Sequence, residues 1–348
     1  LMEVLRSALF RIVAGAAVAA ATGTLVSFLC QRGRERAGGR AVKMNGQVAI
    51  VTGATSGIGR LLVFRLVSKG VRVVVPCRNL ALGESLVKEL QELAPKGAIS
   101  PVAECHYCDM TDLKSVAMFA KDFAAKNSKL HIFVQNAGMC PSTNQKSPVF
   151  TADGFEIAFQ SNHLGHFLMT QLLSSLLIAS APARVVVVSS GLHIARSTDK
   201  LQPRLKIATL QDLKEDWEAR PNGMVLYKNS KLANVAFAFE LNARLEKAGV
   251  TVNAVSPGFI PDTGLSREQG AHGRFFMKYV MPWMPFSFIA TVQDGADALE
   301  HACLSPEIET VGGKYLAKCR ESPASQDVDE QLRAQLWALS EDAVAPFM

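Results

Sequence analysis

Tyr227 and Lys231 stand four residues apart in Tyr227-Lys228-Asn229-Ser230-Lys231, a segment that reads as helix. Side chains at i and i+4 lie one above the other on a helix face, so the Lys231 ammonium sits near the Tyr227 phenol and lowers its pKa. A phenol that ordinarily titrates near about 10 thereby becomes a working proton donor. Such a pair also occurs on surface helices for no chemical reason, so its meaning depends on the rest of the chain.

The strongest companion is Thr52-Gly53-Ala54-Thr55-Ser56-Gly57-Ile58-Gly59. It follows the apolar run Gln47 to Val51 and precedes a helical pattern at Leu61, Leu62, Phe64, Leu66 and Val67. A buried strand, a glycine turn and a helix start in that order bring backbone close to a pyrophosphate at the positive end of a helix. The spacing is G-x-x-x-G-x-G, and a turn of this kind can also be purely structural. Strands are expected at 47–51, 71–76, 102–108, 131–135, 184–188, 250–255 and 313–317, with helical patterns between them. That alternation predicts an α/β fold: one doubly wound parallel sheet whose ligands sit at the carboxyl ends of its strands.

From about Asn45 to the C-terminal end, the sequence resembles the short-chain dehydrogenase/reductase family, a Rossmann-type fold. The glycine turn ends at Gly59, Asn136-Ala137-Gly138 follows Ile132-Phe133-Val134, and Asn162 opens Asn-His-Leu-Gly-His-Phe. Ser189-Ser190 closes the strand from Arg184 to Val188, and Tyr227 with Lys231 completes the set. The resemblance implies that Tyr227 delivers the proton and Ser190 holds the carbonyl oxygen. It further implies that Lys231 bonds the nicotinamide ribose and Asn162 positions a water in a proton relay. Ser189 competes for the serine role, but the second serine of the pair matches the family position. The implied cofactor contacts are Gly53, Thr55, Ser56, Gly57, Ile58 and Gly59 at the turn, Asn136, Ala137 and Gly138, and Asp109 with Met110 near the adenine. Asp109 could equally cap a helix starting near Thr111. Pro257-Gly258-Phe259-Ile260 resembles the loop over the nicotinamide; many relatives carry threonine at 262, where this chain has Asp262 followed by Thr263.

Cofactor choice is read at the end of the second strand. An acid there would bond a ribose 2′-hydroxyl, whereas Arg78, followed by Asn79, offers a fork of donors for the 2′-phosphate of NADP(H). The bland reading is that Arg78 caps a loop in solvent.

Charge argues against nucleic acid. Of the net +6, residues 1–45 hold seven Lys/Arg and two acids, leaving a nearly neutral remainder with no basic patch interleaved with aromatics. Ile12 to Cys30 is a run of 19 uncharged residues, long enough to cross a hydrocarbon core of about 30 Å. Arg32, Arg34, Arg36, Arg40 and Lys43 follow it, which favours a cytosolic catalytic domain if it inserts in the endoplasmic reticulum. A cleaved signal or organelle-targeting peptide is the rival reading, and mitochondrial or plastid membranes stay open. The expected organisation is an anchor and basic linker over 1–44 and a single domain over 45–348. The seven cysteines are scattered; Cys105 and Cys108 lie three apart on a strand and face opposite ways, so core cysteines, with no metal site, are expected.

Residues 262–290 are rich in Phe, Met and Trp, and occupy the place of the family's substrate lid. Such adaptable apolar surface suits a long lipophilic substrate, or else a packed helix pair or dimer surface. Pro76-Cys77-Arg78-Asn79, the Asn162 to Phe167 motif and the apolar N-terminal run resemble retinol dehydrogenases. Thr263-Gly264-Leu265-Ser266-Arg267-Glu268 and the 37-residue step from Ser190 to Tyr227 also resemble protochlorophyllide reductases. Asn136-Ala137-Gly138 and Leu232-Ala233-Asn234 depart from the latter, so photochemistry is not expected. The expected function is an NADPH-dependent oxidoreductase acting on a lipophilic carbonyl or alcohol such as a retinoid-like aldehyde, membrane-associated and as a homodimer or within a complex. The alternative is a non-catalytic NADP(H)-binding subunit of a membrane protein complex.

Overall fold

A computed structural model describes residues 44, 46–93, 102–195, 198–205, 207–260 and 290–348. Met44–Met348 forms one compact unit. The apolar run 12–30 and the lid at 262–289 lie outside the described residues. Among those described, no helix is long and apolar enough to cross a membrane.

The strands are β1 (Val48–Val51), β2 (Arg72–Cys77), β3 (Ala103–Tyr107), β4 (Ile132–Gln135), β5 (Ala183–Val188), β6 (Val250–Ser256), β7 (Lys314–Ala317) and β8 (Arg320–Glu321). They form one sheet in the order β3-β2-β1-β4-β5-β6-β7-β8, parallel throughout except for β8, which runs antiparallel to β7. The central strands are buried almost end to end, which is why they read as unbroken Val/Ile runs instead of alternating ones. Pro76 is tolerated in β2 because bonding directions alternate along a strand. Val73 N–H donates toward β3, so position 76 faces β1, whose pairing has already ended at Val74.

The principal helices are α1 (Gly57–Ser68), α2 (Leu80–Glu92), α3 (Leu113–Lys126), α4 (Gly165–Ala179), α5 (Leu210–Ala219), α6 (Gly223–Leu245), α7 (Val292–Leu304) and α8 (Glu330–Val344). One helical turn, Ile157–Phe159, and a π-helical turn, Gln160–Leu164, lead into α4. Most starts are set by side-chain caps: Asn79, Asp112, Thr209, Asn222, Asp329 and a Thr291/Asp294 capping box. The strand order reverses between β1 and β4, β2 and β3 being added on one side and β4 onward on the other, which opens the crevice at their carboxyl ends. Behind that crevice α8 packs on α6. Trp337 meets Phe167 edge-on at 5.0 Å and stacks on Phe237 at 6.1 Å, with the Arg244 guanidinium 3.9 Å from its ring centre.

Candidate active site

The crevice floor is a zipper between the glycine turn and Asn136-Ala137-Gly138. Thr52 Oγ1 accepts from Asn136 N and Ala137 N, each at 2.9 Å, while Asn136 Nδ2 donates to Thr52 O at 2.9 Å and Gly53 O at 3.2 Å. Gly53 has φ +65, and a Cβ there would come within 2.8 Å of Ala137 Cα. At Gly59 a Cβ would lie 2.5 Å from Asn136 Nδ2, so the helix can start only where side chains are missing. Ser56 precedes α1 without a side-chain cap bond, and no acid occupies the first turn. The opening N–H groups of α1 thus face the crevice end uncancelled, and this cradle fits a pyrophosphate.

At the next strand ends, Arg78 is mostly exposed, with Nε 4.0 Å from Asp109 Oδ2. Asn79 caps α2 by accepting from Leu82 N. Asp109 does not cap a helix. Its Oδ1 accepts from Thr111 N at 3.0 Å and Thr111 Oγ1 at 2.8 Å, while the helix begins at Leu113 under Asp112. The expected start near Thr111 is therefore corrected by two residues. Met110 packs against Gly165, where a Cβ would fall 2.8 Å from its Cε.

Four candidate residues converge from β5, α6 and the π turn. Asn162 is fully buried. Its Oδ1 accepts from Met139 N at 2.8 Å, and its Nδ2 donates to Met139 O and to Ser230 Oγ, each at 2.9 Å. Ser230 Oγ in turn donates to Tyr227 O at 2.7 Å. The Ser190 hydroxyl, which accepts from Leu192 N at 3.3 Å, also neighbours the Tyr227 phenol and favours its ionised form. Ser189 is turned away, donating to Lys231 O at 2.8 Å, because successive residues at a strand end face opposite sides. Lys231 Nζ donates to Val188 O at 3.0 Å and lies 5.6 Å from the Tyr227 ring centre. A Cβ on Gly138 would fall 3.3 Å from Asn162 Oδ1 and 3.5 Å from Lys231 Nζ, so that glycine keeps the space between them open. From the β6 loop, Ile260 packs with Ile58 against Gly295, with Pro257 beside them, which brings this loop to the start of α1. Gly258 is exposed, and Thr263 and Asp262 lie outside the described residues.

A family model described as short chain dehydrogenase matches residues 47–198. Retinol dehydrogenase 14 of Mus musculus is 35% identical over 317 residues, covering 88% of this chain and 89% of that protein. The chain belongs to the short-chain dehydrogenase/reductase family. Within the family it is retinol dehydrogenase-like: retinol dehydrogenase 12 of Homo sapiens is also 36% identical, over 86% of each chain. A solved structure of an uncharacterised protein from Mycobacterium Paratuberculosis matches with TM-score 0.62 and 26% identity, covering 87% of this chain and 95% of that one. A short chain dehydrogenase from Burkholderia cenocepacia in complex with NADP shares the fold, with TM-score 0.59 and 23% identity over 79% of this chain and 97% of that one.

Electrostatics in this short-chain dehydrogenase depart from the i, i+4 expectation. Burial, with the Cys140 thiol as the next contributor, pushes the Tyr227 phenol above its ordinary range, and the neighbouring Ser190 hydroxyl opposes the shift only partly. Lys231 is pushed down to about 8 by burial. Spacing along the helix placed the two groups together but carried no information on how deeply both are sunk, and desolvation outweighs their pairing. Cys140, buried and itself pushed up to about 12, is coupled to both groups and was not singled out by spacing. Its position two residues after Gly138 is the signal that could have found it. The His166 ring reaches Thr52, a role that its place in the Asn162 to Phe167 motif does not reveal.

Proposed function

We propose that this oxidoreductase interconverts lipophilic carbonyl compounds and alcohols with NADP(H), and that retinoid-like aldehydes are among its substrates. The observation that carries the reading is the convergence of Tyr227 and Ser190 at the carboxyl end of β5, with Lys231 and Asn162 behind them. A nicotinamide held in the cradle would supply or accept the hydride. Ser190 donates toward the carbonyl oxygen as negative charge builds on it, and Tyr227, held in its protonated form by burial, supplies the proton. The proton leaving Tyr227 is replaced past Lys231 and Asn162, which meet over the open face of Gly138. Gly53, Gly57 and Gly59 seat the pyrophosphate. Arg78 supports NADP(H) over NAD(H), since its exposed guanidinium can pair with a 2′-phosphate.

The apolar composition of 262–290 and the retinol dehydrogenase names of the relatives favour a lipophilic substrate. Residues 12–30 favour membrane association, with the endoplasmic reticulum as the first membrane to test. A non-catalytic subunit has no observation in its favour, since the four-residue set is complete. The test follows NADPH consumption with retinaldehyde and a panel of shorter aldehydes. Tyr227→Phe should remove turnover at least a hundredfold while NADPH binding stays within a few-fold. Undiminished turnover would refute the assignment.

A further inference from the structure

His163, next to Asn162 on the π turn, and His166, in the first turn of α4, are both buried among groups that fix their tautomers. His166 Nδ1 lies 3.1 Å from Asn162 O; a carbonyl can only accept, so Nδ1 carries the proton. Nε2 of the neutral ring is then an acceptor, and Thr52 Oγ1, 2.9 Å away, donates to it in preference to Val134 O at 3.3 Å. The two lone pairs of the same hydroxyl are taken by Asn136 N and Ala137 N. One threonine hydroxyl thus ties the floor of the cofactor cradle to the backbone of Asn162 through one imidazole. On the other side, Ser340 Oγ donates to Leu336 O at 2.7 Å and so accepts from His163 Nε2 at 2.8 Å. That bond ties the turn to α8.

A π turn inserts an extra residue into a helix and displaces its side chains from ordinary helical positions. The setting of Asn162 therefore needs holding from outside the turn. Burial pushes His166 down to about 4, so the ring stays neutral and its donor and acceptor assignments stay fixed. We propose that His166 is a positioning residue that transmits the placement of Thr52 to Asn162, so that the cofactor floor and the proton-delivery residues are set as one unit. This rests on the role given to Asn162 above.

The experiment uses the full chain and compares His166→Gln, His166→Phe and Asn162→Ala, with the doubles, normalised to stoichiometric NADP(H) binding. His166→Gln should lower kcat on the order of tenfold to a hundredfold with KM and cofactor affinity within about threefold, as expected for a misplaced relay group. In the Asn162→Ala background the same substitution should have no further effect on kcat; additive losses would overturn the proposal. A second readout needs no turnover. Met139 N–H is held by Asn162 Oδ1, so its hydrogen exchange should accelerate in His166→Gln while β4 amides keep their rates. Unchanged Met139 exchange in a folded His166→Gln protein would also overturn the proposal. Should His166→Phe not fold, His166→Gln carries both readouts. A wild-type protein inert toward every carbonyl would refute the proposed function and leave the exchange measurement to decide the positioning role.

Discussion

Replacing Lys231 by Met should remove activity and stabilise the cofactor-free protein. Burial moves this ammonium from its ordinary 10.5 to about 8. At about 1.4 kcal/mol per unit, the fold carries roughly 3 kcal/mol of penalty for holding the charged form at pH 7. Lys231→Met relieves that penalty and gives up one hydrogen bond to Val188 O, worth about 1 kcal/mol. The carbonyl is not orphaned, because Asn234 Nδ2 also donates to it at 3.1 Å. The net expectation is a gain of about 2 kcal/mol, equivalent to a few degrees in Tm at this size. The sign reverses the usual case for lysine. With its folded pKa below the unfolded one, the unfolded chain holds more protons between about pH 8 and 10.5, and the wild-type protein gains stability as pH rises through that window. The advantage of Lys231→Met should be full at pH 7 and shrink toward pH 10. Urea denaturation of both proteins without cofactor at the two pH values measures it. A destabilised Lys231→Met protein at pH 7, or a difference that does not vary with pH, would refute the desolvation argument.

Three further outcomes follow from the geometry. Ser190→Ala should lower kcat about a hundredfold with little change in stability, whereas Ser189→Ala should keep most of its turnover and lose about 1 kcal/mol from the broken bond to Lys231 O; parallel kinetics and denaturation separate the two serines. Gly53→Ala forces a side chain onto a left-handed backbone and against Ala137, so a loss of about 2–4 kcal/mol and of cofactor binding should be seen by calorimetry. Arg78→Glu should weaken NADP(H) at least tenfold while leaving NAD(H) within about threefold, read by fluorescence titration at fixed salt.

The seven parallel strands were legible because strands buried on both faces leave continuous Val/Ile runs, and the turn residues between them mark where each ends. β8 was not legible. Its two-residue hairpin places Lys318 and Cys319 at φ 51 and 58, positions for which sequence normally advertises Asn or Gly. The glycine turn and the Tyr227–Lys231 spacing could be picked out from the residues themselves, and Asn162 and Ser190 from their match to the motifs of the family the chain resembles. What the sequence did not carry was depth and direction. Nothing in the residues Gln160 to Leu164 marks a departure from ordinary helix, and only the backbone pairing reveals a π turn. Asp109 could cap a helix by residue type alone, yet the helix begins under Asp112, which accepts from Lys114 N and Ser115 N. The Tyr227–Lys231 interaction was placed correctly along the helix and misjudged in effect, since burial is a property of the surrounding layers and not of the pair.

Trp337 and Ser340 belong to a helix made long after Asn162 in the order of synthesis, yet they close the aromatic cluster behind it and hold its neighbour His163. During translation the cofactor cradle can form while the proton-delivery side still lacks its backing. A nascent chain halted before α8 would therefore hold an assembled dinucleotide floor under an unsupported Asn162, so that cofactor binding and turnover appear at different moments in the life of the polypeptide.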